Sequence, residues 1–305
     1  PAHPDYARLI GQNKGISVSP VFGGYTSQAE FEFLCGVPAF QEFDQIEFNT
    51  FTGAPTYCLP GILKDFGYAT VASNGFKPDF FNTVPAYRGL GFESAYFSKE
   101  YTPTSETYLS KGDDTDNKYF YDGDLYDQNL AFVKTLLDKK KPFFNYVLTV
   151  YGHLPFDLGR RAGPPLFSLP ALHPDLQKIV NQNHYRTQAL ARYLQELIAL
   201  DPESLIVLAA DHLPPLSDGT QDYLTYGYLP ALPDPLHSNL FLVFDKGRPV
   251  KPTERVFSHF NIYRLILDHL TDHEYCRIQR CAFDAPYDKE PLRDDYRIIM
   301  GLASR

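Results

Sequence analysis

The chain has no tryptophan and a single methionine, so its aromatic surface comes from 22 tyrosines and 24 phenylalanines. It has no apolar run of the length needed to cross a bilayer as a helix. It has no cationic excess either: the net charge is −9, which argues against nucleic acid as a partner, because phosphate backbones want a basic face. A signal-peptide pattern is missing and the first residue is Pro1, so the chain is expected to be a piece of a longer protein. Cysteine is scarce. Cys35, Cys58, Cys276 and Cys281 match no metal-binding spacing and permit disulfides in an oxidising compartment. Cys35 and Cys58 stay open between a bridge and free buried thiols. Cys276 and Cys281 flank a short polar segment and are expected to bridge locally. Internal repeats and clear linkers are also absent.

What remains is ordinary globular material: 305 residues, 44% apolar and 21% charged, enough for one large domain. The stretch Phe22 to Phe31 organises it. Gly23 and Gly24 allow a tight turn. Thr26 and Ser27 then open an apparent helix, closed near Gly36. A hydroxyl there sits where free N–H groups and the macrodipole favour negative charge, which suits a nucleophile attacking a phosphoryl or sulfuryl group. The competing explanation is plain capping, with Glu30 completing a capping box from Ser27.

Elsewhere helices alternate with strands, which predicts an α/β layer architecture. Ile16 to Phe22 alternates like a short strand. Pro60 to Phe66 reads as a helix stopped by Gly67, and Tyr68 to Ser73 as a strand followed by a loop through Asn82. Helices are expected over Val84–Leu90, Asp124–Lys139, Leu176–Leu200 and His259–Leu270. Phe143 to Val150 is a nearly continuous apolar run, as for a strand covered on both faces. It ends at Tyr151-Gly-His153. Ser204 to Ala210 is the strongest strand signal and runs directly into Asp211-His212. Asn239 to Phe244 is a further strand. Ligands of open α/β sheets bind beyond the carboxyl ends of strands. His153 there is either functional or merely exposed, and Asp211 with His212 is either a divalent-metal pair or a surface turn. Asp113 to Asn117 lacks the glycine and distal Glu of a calcium loop and reads as a solvated turn. Residues 157–174 are candidates for a lid. Residues 271–305 form a polar tail expected to pack on a single domain spanning 1–305, and Tyr119 to Tyr121 could stack on sugar.

A hydroxyl on a helix N-terminus, a His after a middle strand and an Asp-His pair after a late strand form one pattern. Gly24-Tyr-Thr-Ser-Gln-Ala-Glu-Phe31, Tyr68 to Asn82, Lys141 to Phe156 and Leu205 to His212 occur in the order found in the alkaline phosphatase and sulfatase superfamily. The chain resembles its lipoteichoic acid synthase and phosphoglycerol transferase branch, from about residue 15 to residue 270.

That resemblance implies a three-layer α/β sandwich with a mostly parallel central sheet. It implies Thr26 as nucleophile and metal ligand, and Asp211 and His212 as ligands of one divalent ion (Mn, Zn or Mg). His153 would contact the substrate phosphate, with Asn74, Phe81 and Arg88 on the substrate side. The implied reaction moves a phosphoglycerol-type head group from a phospholipid donor to a glycan or polymer through a phospho-threonine. The implied place is the bacterial envelope outside the cytoplasm, periplasmic or on the outer face of the inner membrane, with an anchor upstream.

The chain departs from the family pattern in three places. The family's first acidic ligand ends a strand upstream of the nucleophile turn. No strand ending in Glu precedes Thr26, so that strand and ligand are expected to be lacking here. Asn74 stands where the branch has His. Thr83 stands where it has Arg, and Thr cannot make bidentate phosphate contacts; Arg88 is a possible substitute. Phosphoethanolamine transfer, a phosphodiesterase or sulfatase, and an inactive glycan-binding domain remain alternatives. A Cys/Ser-x-Pro-x-Arg sulfatase setting is absent around Thr26.

Overall fold

The computed structural model describes residues 2–98, 108–109, 119–169, 173–216, 218, 220–225, 227, 232, 234–251, 256–283 and 289–305. Asp113 to Asn117 lie outside the described residues. In chain order the elements begin with α1 (Pro4–Ile10), β1 (Gly15–Val18), α2 (Thr26–Cys35), α3 (Leu59–Asp65), β2 (Ala69–Asn74), α4 (Thr83–Leu90) and β3 (Ser94–Phe97). The middle holds α5 (Asp122–Asp138), β4 (Phe143–Leu148), α6 (Gly159–Ala162), α7 (Pro174–Leu200) and β5 (Leu205–Ala209). The rest are α8 (Thr220–Thr225), β6 (Ser238–Asp245), β7 (Arg248–Val250), β8 (Val256–Ser258), α9 (Asn261–Leu270), α10 (Glu274–Gln279) and α11 (Arg293–Ala303).

The strands form one layer in two parts. One sheet has the order β5-β6-β1-β8, with β7 on β6; the other has the order β3-β2-β4 and is wholly parallel. In the first, β6 runs against β5 and β1, while β1 and β8 are parallel. So β1, β5 and β8 point the same way, and the segments after them meet at one edge. The architecture is the expected α/β sandwich, with a mixed sheet beside a parallel one.

Period-two alternation explains the layers. Ile206 and Leu208 of β5, with Leu242 and Phe244 of β6, pack toward α1, α5 and α7. Leu205, Val207 and Ala209, with Phe241 and Val243, pack toward α3 and α9. Strand β4 shares both sides: Val147 joins the first cluster and Phe144 the second. Yet β4 and β5 do not pair, and among the described residues the outer edge of each lacks a strand partner. Every residue of both strands is therefore only partly buried, although their apolar runs predict full cover. Their faces are covered; their edges are open.

The polar tail packs on the domain as expected and does so through a helix, whereas the candidate lid departs from the sequence reading. The polar tail ends in α11, whose Tyr296, Ile299, Met300 and Ala303 enter the cluster built on Phe31, Leu34, Phe48 and Tyr87. Residues 157–169 are fastened rather than loose. Asn181 of α7 accepts from Leu166 and Phe167 N–H, Tyr185 donates to the Pro164 carbonyl, and Arg161 pairs with Asp124. Both cysteine pairs are bridged. Cys35–Cys58 ties the end of α2 to the start of α3, which settles the alternative left open, and Cys276–Cys281 closes the expected local loop.

Candidate active site

The Thr26 turn is built as the glycines suggest. Gly23 has φ 71° and its N–H donates to the Leu213 carbonyl at 3.1 Å, which locks the turn to the segment after β5. A Cβ on Gly23 would stand 3.4 Å from that of Pro215. Tyr25 is the N-cap in a left-handed conformation and makes no side-chain cap. The capping explanation does not hold. Glu30 is buried and turns inward to accept from the hydroxyls of Tyr87 (2.6 Å) and Tyr146 (3.1 Å), and among the described residues the buried Ser27 Oγ has no hydrogen-bond partner.

Thr26 instead points at the end of β5. Its Oγ1 donates to Asp211 Oδ2 at 2.8 Å and lies 3.3 Å from His212 Nε2. Asp211 Oδ2 and His212 Nε2 are 3.2 Å apart. The Leu213 carbonyl, 2.8 Å from His212 Nδ1, can only accept, so Nδ1 carries a hydrogen, and in the neutral ring Nε2 presents a lone pair. Burial pushes the Asp211 carboxyl up, but His212, the Thr26 hydroxyl and backbone N–H groups outweigh it and hold the pKa below the usual carboxylate range. Asp211 is thus an anion aimed at a hydroxyl.

Two oxygens and one imidazole nitrogen within 2.8–3.3 Å of one another are a donor set that fits a divalent ion such as Mn, Zn or Mg. The set is one ligand short. Among the described residues no three His, Cys, Asp or Glu converge. Ahead of Thr26, β1 leads into Ser19-Pro20 without an acidic residue, and Asp5 pairs with Arg8 and His3 on α1.

The substrate-side candidates are placed less closely. His153 follows β4, is exposed, donates from Nδ1 to the Leu154 carbonyl at 3.0 Å, and lies 4.7 Å from the Tyr119 ring. Asn74 is buried: its Nδ2 donates to the Tyr87 hydroxyl at 3.2 Å and its Oδ1 accepts from Phe76 N–H at 2.9 Å. Phe81 has φ 51° and packs on Phe80 with ring centres 4.1 Å apart. Arg88 is exposed on α4, with its Cδ 3.1 Å from where a Cβ on Gly53 would sit. Thr83 spends its hydroxyl on the Phe80 carbonyl. The structure therefore joins Thr26, Asp211 and His212 directly, and joins Asn74 to the helix of Thr26 through Tyr87 and Glu30.

A sulfatase model matches residues 2–273. The chain belongs to the sulfatase family. It is 26% identical over 236 residues to a putative cyclic beta-1,2-glucan modification protein of Rhizobium meliloti, a match covering 75% of this chain and 34% of that protein. The chain thus spans about a third of the length of the curated relatives it matches first. The lipoteichoic acid synthase LtaP of Listeria monocytogenes has the same fold, with TM-score 0.68 and 17% identity over 88% of this chain and 65% of that one. So has the phosphoglycerol transferase GacH of Streptococcus pyogenes, solved with sn-glycerol-1-phosphate, with TM-score 0.68 and 16% identity over 97% and 78%.

Two buried residues near this cluster were not singled out as site candidates in the sequence. His259, directly after β8, is buried with Nδ1 3.2 Å from Ser17 Oγ. Burial lowers its pKa to about 4 against the pull of Asp211, so it is a neutral imidazole beneath the site. Its place after a three-residue strand left no periodic signal. Glu30 is the other: burial raises its pKa to about 7, against the hydrogen bonds from Tyr87 and Tyr146. Its i, i+4 spacing from Thr26 was the available clue.

Proposed function

We propose that this chain is the catalytic domain of a metal-dependent transferase that moves a phosphoglycerol-type head group from a lipid donor to a glycan or polymer. The observation that carries the reading is the Thr26 hydroxyl, which caps no helix and donates to the Asp211 carboxylate beside the His212 lone pair. Thr26, Asp211 and His212 would hold the ion, which when bound lowers the hydroxyl pKa and offsets phosphoryl charge. Asp211 accepts the Thr26 proton as the hydroxyl attacks. The Thr26 Oγ1–phosphorus bond forms, the bond from phosphorus to the donor oxygen breaks, and that oxygen leaves with a proton for which the exposed His153 Nε2 is the candidate donor. An acceptor hydroxyl then attacks the same phosphorus and passes its proton to His153, the Thr26 Oγ1–phosphorus bond breaks, and Thr26 takes back the proton held by Asp211.

The open edges of β4 and β5 support one more element of this reading. We infer that a further parallel strand lies between them and ends in the acidic ligand the set lacks. The two disulfides favour an oxidising compartment outside the cytoplasm, and among the described residues no helix is long and apolar enough to cross a membrane.

The incomplete ligand set and Thr83 favour a second reading, an inactive glycan-binding domain. Incubation with Mn²⁺ and phosphatidylglycerol separates the two. The transferase reading expects diacylglycerol release and a phosphoglycerol adduct on the Thr26 peptide by mass spectrometry, both abolished in Thr26→Ala. Release to water without transfer to an added glycan indicates a hydrolase. An unmodified Thr26, together with glycan binding that Thr26→Ala leaves intact, supports the second reading.

A further inference from the structure

The site as described lacks a cation for the anionic group it would process. Thr83 occupies the family's arginine position, and Arg88 packs beside Gly53. Arg186, in the first half of α7, was singled out by no motif. Its Nε donates to Asp122 Oδ2 at 2.8 Å. Asp122 is 1% exposed, and its other oxygen accepts from Tyr151 N–H at 3.3 Å, so one carboxylate fixes both the arginine and the turn after β4. The Arg186 side chain is 35% exposed, and among the described residues neither Nη makes a hydrogen bond.

Those Nη groups lie against the loop that presents His153. A Cβ on Gly152 would fall 2.1 Å from Nη1, 2.5 Å from Cζ and 3.0 Å from Nη2. Only a glycine lets the guanidinium lie flat across this turn. Burial works against the charge of Arg186, but Asp122 outweighs it, and Tyr126 and Asp211 add to the effect, so the arginine is always cationic. Asp211 is also among the groups that raise the Arg186 pKa, so the cation lies within electrostatic reach of the Thr26 cluster.

We propose that Arg186 is the anion-binding residue of this site, its two Nη groups holding non-bridging oxygens of the phosphoryl or sulfuryl group presented to Thr26. A planar fork held at Nε, with both outer nitrogens open, is the geometry for bidentate recognition of such oxygens. Gly152 is then a specificity-determining position through the space it leaves. The inference rests on the reading of Thr26, Asp211 and His212 as the reaction centre.

The test measures Zn²⁺ and inorganic phosphate binding separately, by calorimetry, on the wild-type chain and on three variants. Arg186→Gln combined with Asp122→Asn removes the arginine without stranding a buried charge. Arg186→Lys keeps the charge and loses the fork. Gly152→Ala keeps the arginine and displaces it. With Zn²⁺ affinity unchanged, phosphate affinity should fall about tenfold or more in the double variant and in Gly152→Ala, and fall less in the Lys variant. Unchanged phosphate affinity in the double variant and in Gly152→Ala, with Zn²⁺ still bound, overturns the role of Arg186 and leaves the reaction centre standing. Zn²⁺ binding by a wild type that takes no phosphate also overturns it. A wild type that binds neither overturns both.

Discussion

Glu32 offers a sharp test of how α2 is buried. It lies on α2, is 1% exposed, and accepts a hydrogen bond from Ala39 N–H at 3.0 Å. Burial raises its pKa from 4.5 to about 7. Lys289 and the backbone of Ala39 and Phe260 oppose that rise, and the nearby Glu47 carboxyl adds to it. The folded state therefore holds a proton that the unfolded chain releases above pH 4.5. Stability from this group is complete below about pH 4.5 and is lost as the pH rises toward about 7. The shift corresponds to roughly 3 kcal/mol at 1.36 kcal/mol per pH unit. Glu30, also raised to about 7 by burial, contributes in the same direction. Glu32→Gln keeps a neutral acceptor for Ala39 and removes the titration. Urea melts at pH 4.5, 6 and 8 should show the wild type losing stability as pH rises. The stability difference between Glu32→Gln and wild type should move in favour of Gln by roughly 3 kcal/mol across that range. A difference that stays constant from pH 4.5 to 8 refutes the argument, because Glu32 would then be ionised in the fold at no cost.

Other outcomes follow from the packing. Met300 is fully buried in the largest aromatic cluster, so Met300→Ala should cost about 2–5 kcal/mol in a denaturant melt, whereas a loosely attached tail would cost almost nothing. Cys35 and Cys58 are 23 residues apart, and replacing both with Ser should lower stability by about 3 kcal/mol on the chain-entropy account, read from the melting midpoint with and without reductant. Gly36 has φ 70°, and a Cβ there would stand 2.5 Å from the Tyr263 ring, so Gly36→Ala should destabilise by more than 1 kcal/mol, the lower end expected for left-handed backbone strain alone.

The parts of the site legible in the sequence were those with a local signature. Gly23-Gly24 before a hydroxyl, and an apolar run ending in Asp211-His212, marked three residues that the fold brings together. The helices α3, α5, α7 and α9 were equally plain, because each carries an apolar stripe and a stop. Strand β3 was not: Ser94-Ala-Tyr-Phe97 is short and borrows its cover from neighbours. Helix α11 was hidden by its charge, although Tyr296, Ile299, Met300 and Ala303 do recur at helical spacing. The division of the sheet could not be read at all, because an apolar run reports covered faces and says nothing of a strand's edges. Arg186 was invisible for a similar reason. Its neighbours Asp122 and Gly152 are distant in sequence, and only the packing of α7 over the β4 turn brings them together.

The central claim is that Thr26, Asp211 and His212 form one metal-holding reaction centre. The most direct measurement is Mn²⁺ binding by electron paramagnetic resonance on the wild-type chain, on Thr26→Ala and on Asp211→Asn, with folding checked by circular dichroism. The account predicts binding by the wild type, weak for want of one acidic ligand, and its loss in Asp211→Asn with the fold intact. Wild-type Mn²⁺ affinity equal to that of both variants would contradict it.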